Sequence, residues 1–201
     1  MIQRISLLLP LLALLAACNS TPTPQDTDPL QQASAISVTL PGFVTTPDTT
    51  LHWHSELLWV DDPEGRYERR AVVLQQALQK ELERKGYRFV DSDEQANYDV
   101  LAVAMLGELK NQEDVESFFR LYPSLAKPAK GYGRGTVLVA IAPAGTSDIV
   151  WRGALEVYTD PGKMPLAQRE QRLQWAAKKL LGSIPTLPCA TGSVAATDRD
   201  C

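Results

Sequence analysis

The sequence predicts an α+β fold, a mainly antiparallel sheet with two amphipathic helices packed on one face. Three observations predict it. Apolar residues recur at three- and four-residue steps over 66–85 and again over 166–184, the period of a helix with one buried face. Between them, 99–109 (DVLAVAMLGEL) is apolar on both faces, as a central strand is. Residues 135–142 and 148–159 alternate with the two-residue period of strands around the loop Pro143-Ala144-Gly145-Thr146-Ser147, which fits a hairpin.

Each element follows from its residues. Ile36-Ser37-Val38-Thr39-Leu40 alternates and stops at Pro41-Gly42, so it reads as a strand. Residues 51–54 and 57–60 read as one strand or two short ones, broken by Asp61-Asp62-Pro63-Glu64-Gly65. In the first helix Tyr67, Ala71, Leu74, Leu78 and Leu82 share a face, and Gly86 stands where a left-handed cap is expected. Residues 87–90 form a short strand. In 99–109, Leu101, Val103 and Met105 make a bulky face and Val100, Ala102 and Ala104 a thin one; the helices are expected on the bulky side. Residues 110–132 are irregular, with helical turns expected over 113–121. In the last strand Trp151, Leu155 and Val157 share the core face, and Arg152, Glu156 and Tyr158 the opposite, mixed face. Leu173, Ala176, Ala177, Leu180, Leu181 and Ile184 form the stripe of the second helix, which Pro185 stops.

The segments upstream carry a different message. Arg4, the apolar run from Ile5 to Leu15 and the small residues before Cys18 read as an export signal. The run is too short to span a bilayer, which needs roughly 20 apolar residues. The ending Leu15-Ala16-Ala17-Cys18 resembles the lipobox of bacterial lipoproteins, which implies cleavage before Cys18 and acylation of its thiol and new amino group. Asn19, in place of an inner-membrane retention aspartate, directs the expectation to the outer membrane, facing the periplasm. The organisation expected is thus a signal peptide over 1–17, a lipidated flexible tether over 18–34, one domain over 35–188 and a tail over 189–201. Residues 19–34 (NSTPTPQDTDPLQQAS) are too polar and proline-rich to bury a core.

Charge excludes one class of partner. The 201-residue chain carries a formal charge of −4, a poor match to nucleic acid. Beside Cys18, two cysteines remain. Cys189 and Cys201 are candidates for a disulfide closing a small loop in the tail; the alternative is two free thiols.

Together, Leu58-Trp59-Val60, the helix ending Lys85-Gly86-Tyr87, Ala96-Asn97-Tyr98-Asp99-Val100, Gly135-Thr136-Val137-Leu138-Val139, Ile149-Val150-Trp151-Arg152-Gly153-Ala154 and Leu180-Leu181-Gly182-Ser183-Ile184-Pro185 form a pattern. It resembles the envelope lipoprotein family known as domain of unknown function 4136, over roughly residues 50–186. That resemblance implies a fold and a location and supplies no catalytic residues.

Chemistry-bearing residues are few. His52 and His54 flank Trp53 and would share a strand face, but metal sites need three or four ligands, and these are the chain's two histidines. Gly131-Tyr132-Gly133-Arg134-Gly135 leads into a strand instead of opening a helix, so it reads as a flexible lead-in or bulge. Asp61-Asp62 reads as a solvated turn. No nucleophile elbow, phosphate loop or cofactor motif is present. Trp151 is expected in the core and Arg152 beside Glu156. Phe118, Phe119 and Tyr122 on the irregular connection, together with Arg152 on the mixed face, are the expected interaction surface for an envelope protein or apolar ligand. The function expected is a non-catalytic outer-membrane lipoprotein that binds a partner or ligand in envelope assembly or maintenance. The alternative is a periplasmic hydrolase whose site no local motif reveals.

Overall fold

The computed structural model describes residues 28–60, 62, 64–107, 120–121, 123, 125–126, 130–160, 162 and 164–188. Cys18, Phe118, Phe119, Tyr122, Cys189 and Cys201 lie outside these described residues, as does Asp61. In chain order the elements are β1 (Ala33–Thr39), β2 (Thr50–Trp53), β3 (Leu58–Trp59), α1 (Glu68–Arg84), β4 (Arg88–Phe89), β5 (Tyr98–Leu106), β6 (Gly133–Pro143), β7 (Trp151–Thr159) and α2 (Leu166–Leu180). Residues 28–34, assigned to the tether by composition, hold a 3-10 turn at Pro29–Gln31 and the start of β1. Pairing with β7 supplies the backbone partners that this polar stretch lacks on its own.

The seven strands form one sheet in the order β1-β7-β6-β5-β2-β4, and β3 pairs β5 beyond the end of β2. The sheet is mixed, with most of its pairing antiparallel, where the sequence predicts a mainly antiparallel one. The long strands β1, β7, β6 and β5 are antiparallel neighbours. The short strands β2, β3 and β4 add in parallel. The reason is the intervening helix: α1 carries the chain from the end of β3 back to the start of β4, and such a crossover leaves its strands parallel.

The two helices do pack on one face, but it is the thin face of β5. Val100, Ala102 and Ala104 join Val137, Val139, Ile141, Trp151 and Leu155 in one cluster with Leu74, Leu78 and Leu82 of α1 and Ala176, Ala177 and Leu180 of α2. Helix leucines bring the bulk, so the strand beneath them must be narrow. Each such fully buried leucine contributes roughly 1.5–3 kcal/mol. The heavier side of β5, Val103 and Met105, packs with Leu138, Ala154 and Leu121 into a second cluster on the opposite face.

α1 closes as its last residues dictate. Gly86 adopts φ 98°, its N–H donates to Glu83 O at 2.9 Å, and Tyr87 N donates to Leu82 O at 3.2 Å. That is a Schellman cap, which an L side chain at Gly86 would strain. The buried Lys85 ammonium donates to Ile184 O at 2.8 Å, Tyr87 Oη donates to Pro185 O at 3.1 Å, and Leu187 N donates to Lys85 O at 2.7 Å. The C-terminal ends of α1 and α2 are therefore locked side by side, and the helices run parallel.

Trp151 is fully buried, and its ring folds back over Gly153. A Cβ at Gly153 would stand 2.5 Å from the Trp151 ring and 3.1 Å from Leu180 Cδ1. We predict that Gly153→Ala lowers stability by about 2 kcal/mol through overpacking. Urea titration should show a lower midpoint at unchanged slope, and an unshifted midpoint would refute this account of the Trp-Arg-Gly motif.

Glu81, nearly buried on α1, makes a two-point contact to Arg84: Oε1 to Nη2 at 2.7 Å and Oε2 to Nε at 2.9 Å. The Arg84 hydrogen bonds hold its carboxyl below the usual value near 4.5, against burial, which pushes the other way. A carboxyl depressed in the folded state adds stability above pH 4.5 that is lost as pH falls further. Glu81→Gln should therefore melt below the wild type at pH 7, with the gap narrowing as pH falls below 4.5. A gap that stays the same size as pH falls would show that the carboxylate charge is not what matters.

Candidate functional site

β3 leads into α1 and β7 leads into α2, and β7 runs in the same direction as β5 because two antiparallel steps separate them. The first turns of both helices therefore arrive at one end of the sheet, where β5 ends and β6 begins. Between them lies a cleft of about 470 Å³. Gly133 and Gly135 form part of its floor. A Cβ at Gly133 would stand 2.9 Å from Thr159 Oγ1, and one at Gly135 3.2 Å from Leu106 Cδ2. Gly131, at φ 98°, and Tyr132 lead into β6, which starts at Gly133, two residues before the start the sequence suggested.

Aromatic rings and arginines share the walls. Trp59 lies against Tyr67 at 5.1 Å between centroids, the rings tilted by 32°. Arg70 stands 5.0 Å over the Tyr67 ring and Arg172 5.9 Å from the Trp175 ring. Leu74 and Leu173 complete the apolar side. Arg172 donates from Nη1 to Leu30 O and from Nη2 to Tyr158 O, the latter at 2.9 Å. Burial lowers its pKa, and Asp28 and Asp160 oppose that shift. Arg169 spends one N–H on Met164 O at 3.1 Å. Among the described residues, no carboxylate pairs with Arg70, Arg169 or Arg172. Asp160 is the acid in the described lining, and its Oδ1 already accepts from Gly162 N at 2.7 Å. A second hollow of about 290 Å³ shares Arg70, Arg169 and Leu173 and adds Arg69, Glu170 and Arg66, the last paired with Asp62 and Glu64. The positive ends of two parallel helix dipoles point the same way. The cleft is positive and apolar at once. Periodicity could not reveal it, because Arg70, Arg169 and Arg172 read in sequence as ordinary solvated helix positions.

The mixed face is closed by a clamp. Glu156, 1% exposed, accepts from Arg134 Nη1 at 3.0 Å and from Leu125 N at 2.6 Å. Arg134 Nη2 donates to Leu125 O and Ala126 O at 3.1 and 3.3 Å, and Tyr158 Oη donates to Ala126 O at 2.9 Å. Leu121 is buried. The described part of the 110–132 connection is thus tucked onto the sheet. Arg152 is not Glu156's partner, as its position suggested; Arg134 is. Arg152 lies in register between Val38 and Ala140, and its Nε has no hydrogen-bond partner among the described residues.

The remaining candidates are held by local bonds. His52 Nδ1 lies 2.9 Å from Asp99 Oδ1, while Asp99 Oδ2 accepts from Gly145 N at 3.0 Å. β2 ends at Trp53, so His54 leaves the strand and is exposed. Among the described residues no group of three His, Cys, Asp or Glu side chains is placed to hold a metal. Asp62 accepts from Arg66 N and Tyr67 N at 2.9 and 2.6 Å and caps the approach to α1. No helix among the described residues is long and apolar enough to cross a membrane.

We predict that Glu156→Ala costs about 3–5 kcal/mol, because it leaves Arg134 and Leu125 N without their buried partner. Limited proteolysis should then cut within 120–132 well before the wild type is cut. A variant as stable and as resistant as the wild type would show that the clamp is not needed.

No family model matches the sequence. No curated protein matches it either. Among solved structures, the chain is similar to a subunit of the PelC dodecamer from Paraburkholderia phytofirmans at 8% identity and TM-score 0.41, covering 75% of this chain and 95% of that one. A protein of the DUF4136 family, the family the sequence resembles, is also among them. It comes from Bacteroides thetaiotaomicron, with 9% identity and TM-score 0.38 over 72% of this chain and 93% of that one. A candidate lipoprotein from Caulobacter crescentus matches at 20% identity and TM-score 0.28, over 61% and 77% of the two chains.

Proposed function

We propose that this chain is a non-catalytic lipoprotein of the bacterial envelope, anchored through Cys18 to the outer membrane and facing the periplasm, whose cleft holds a ligand or partner segment. The observation that carries the binding half is the cleft itself: the guanidinium groups of Arg70, Arg169 and Arg172, which no carboxylate among the described residues pairs, beside an apolar aromatic wall. Such a surface is costly to leave to water alone and suits a ligand with one anionic and one apolar part. The anchoring half rests on Leu15-Ala16-Ala17-Cys18. Three acyl chains, at about 0.8 kcal/mol per buried CH₂, make attachment effectively permanent where one chain would bind marginally.

Two measurements test the halves separately. Cells fed labelled palmitate should label the wild-type chain and leave Cys18→Ala unlabelled, and gradient fractionation should place the wild type with the outer membrane. Label retained in Cys18→Ala would remove the anchor. A photo-crosslinking residue in place of Leu173 should capture a discrete molecule in intact cells, while the same residue at Asp148 on the β6–β7 hairpin should not. Equal yields would remove the cleft as the binding site. A hydrolase activity of the purified chain abolished by His52→Ala would overturn the non-catalytic reading.

A further inference from the structure

Building on that binding role, we infer that the cleft's ligand is an anionic membrane lipid, its phosphate held by Arg70 and Arg169 and an acyl chain laid against Trp59, Leu173 and Trp175. Three observations lead there. The first is charge. Among the described residues Arg70 makes a ring contact and no ion pair, and Arg169 uses one N–H on a backbone carbonyl, so both keep donors for an oxyanion. Arg134, also in the lining, is already neutralised by Glu156. Asp160 is the opposing charge, and it leaves the described lining net positive.

The second is the apolar wall. A volume of about 470 Å³ falls in the range of roughly 300–1,000 Å³ typical of sites that enclose a small molecule. A free inorganic anion would occupy the guanidiniums and leave the rings facing water. An acidic peptide matches the charge but does not account for so much apolar wall beside it.

The third is where the chain enters. The turn Pro29–Gln31 packs beside the cleft, with Arg172 donating to Leu30 O. Asp28 stands ten positions after Cys18, and ten residue steps reach at most about 35 Å. With Cys18 in the bilayer, the cleft end of the domain is the end held within reach of the lipid surface.

The lipidated full chain, reconstituted in neutral phosphatidylcholine vesicles, tests this. Trace photoreactive phosphatidic acid or photoreactive phosphatidylcholine is added, and adducts are mapped by mass spectrometry. Phosphatidic acid should label peptides containing Trp59 or Leu173–Trp175, and phosphatidylcholine should label them far less. Arg70→Gln with Arg169→Gln should reduce the phosphatidic acid adduct about tenfold, as expected for losing a charge-assisted hydrogen bond. Both positions are only partly buried, so melting temperature should hold, and Arg169→Lys should retain most of the labelling. Equal labelling by the two lipids, or labelling indifferent to the double substitution, overturns the proposal. Displacement by millimolar inorganic phosphate overturns it in favour of a free anion. A peptide captured at position 173 in cells overturns the lipid and leaves the cleft as a binding site; no adduct in either setting removes both.

Discussion

The fold depends on a stripe of small residues under two helices. Val100, Ala102 and Ala104 on β5, with Gly153 on β7, keep the helix-bearing face low enough for Leu74, Leu78, Leu82 and Leu180 to reach the sheet. A larger side chain in that stripe would lift a helix and open space that apolar groups could not refill. From this contact follows the rest. With both helices seated on one face and fastened at their C-termini through Lys85, Tyr87 and Leu187, their N-termini are brought together at the opposite end. The cleft is what remains between those ends and the last residues of β5.

How the residues announce themselves differs along the chain. The helices were readable because their apolar spacing repeats over several turns, and Gly86 marked the end of α1 through the one conformation that favours glycine. The core position of Trp151 was readable from alternation. Which face of β5 the helices cover was not, because bulk on a strand does not say where the partner's bulk lies. The parallel edge was hidden for a similar reason. β2, β3 and β4 are two to four residues long, and their direction comes from the α1 crossover, not from any pattern of their own. The cleft arginines were invisible because guanidiniums on a helix surface are ordinary until tertiary packing gathers them. Alternation gives Arg152 its face but not its partner: two charged residues four apart on a strand share a face, yet cross-strand neighbours lie closer. Arg134 supplies that neighbour from β6.

The two faces of the sheet are stabilised by different physics. The helix side is a hydrocarbon core whose contribution scales with buried area. The other side rests on Glu156, a nearly inaccessible carboxylate whose oxygens are satisfied by one guanidinium and one backbone N–H. A buried pair of this sort contributes little net energy against an apolar replacement, but it is demanding about geometry. It specifies where the chain around Leu125 must cross β6 and β7, a position that oily contacts alone would leave loosely determined.

The Lys85–Ile184 contact joins residues 99 positions apart. Its consequence is temporal. A chain that emerges N-terminus first makes α1 early and α2 last, so the face of β7 and β1 that α2 covers stays bare until nearly the whole domain has been delivered. Contacts this distant in sequence form slowly, because the loop between them must be closed before they return any energy. During that interval the chain presents an incomplete core beside unpaired strand edges, the state in which association with other chains competes with folding. The same bond that holds the finished helices parallel therefore marks the step before which the molecule most needs protection from its neighbours.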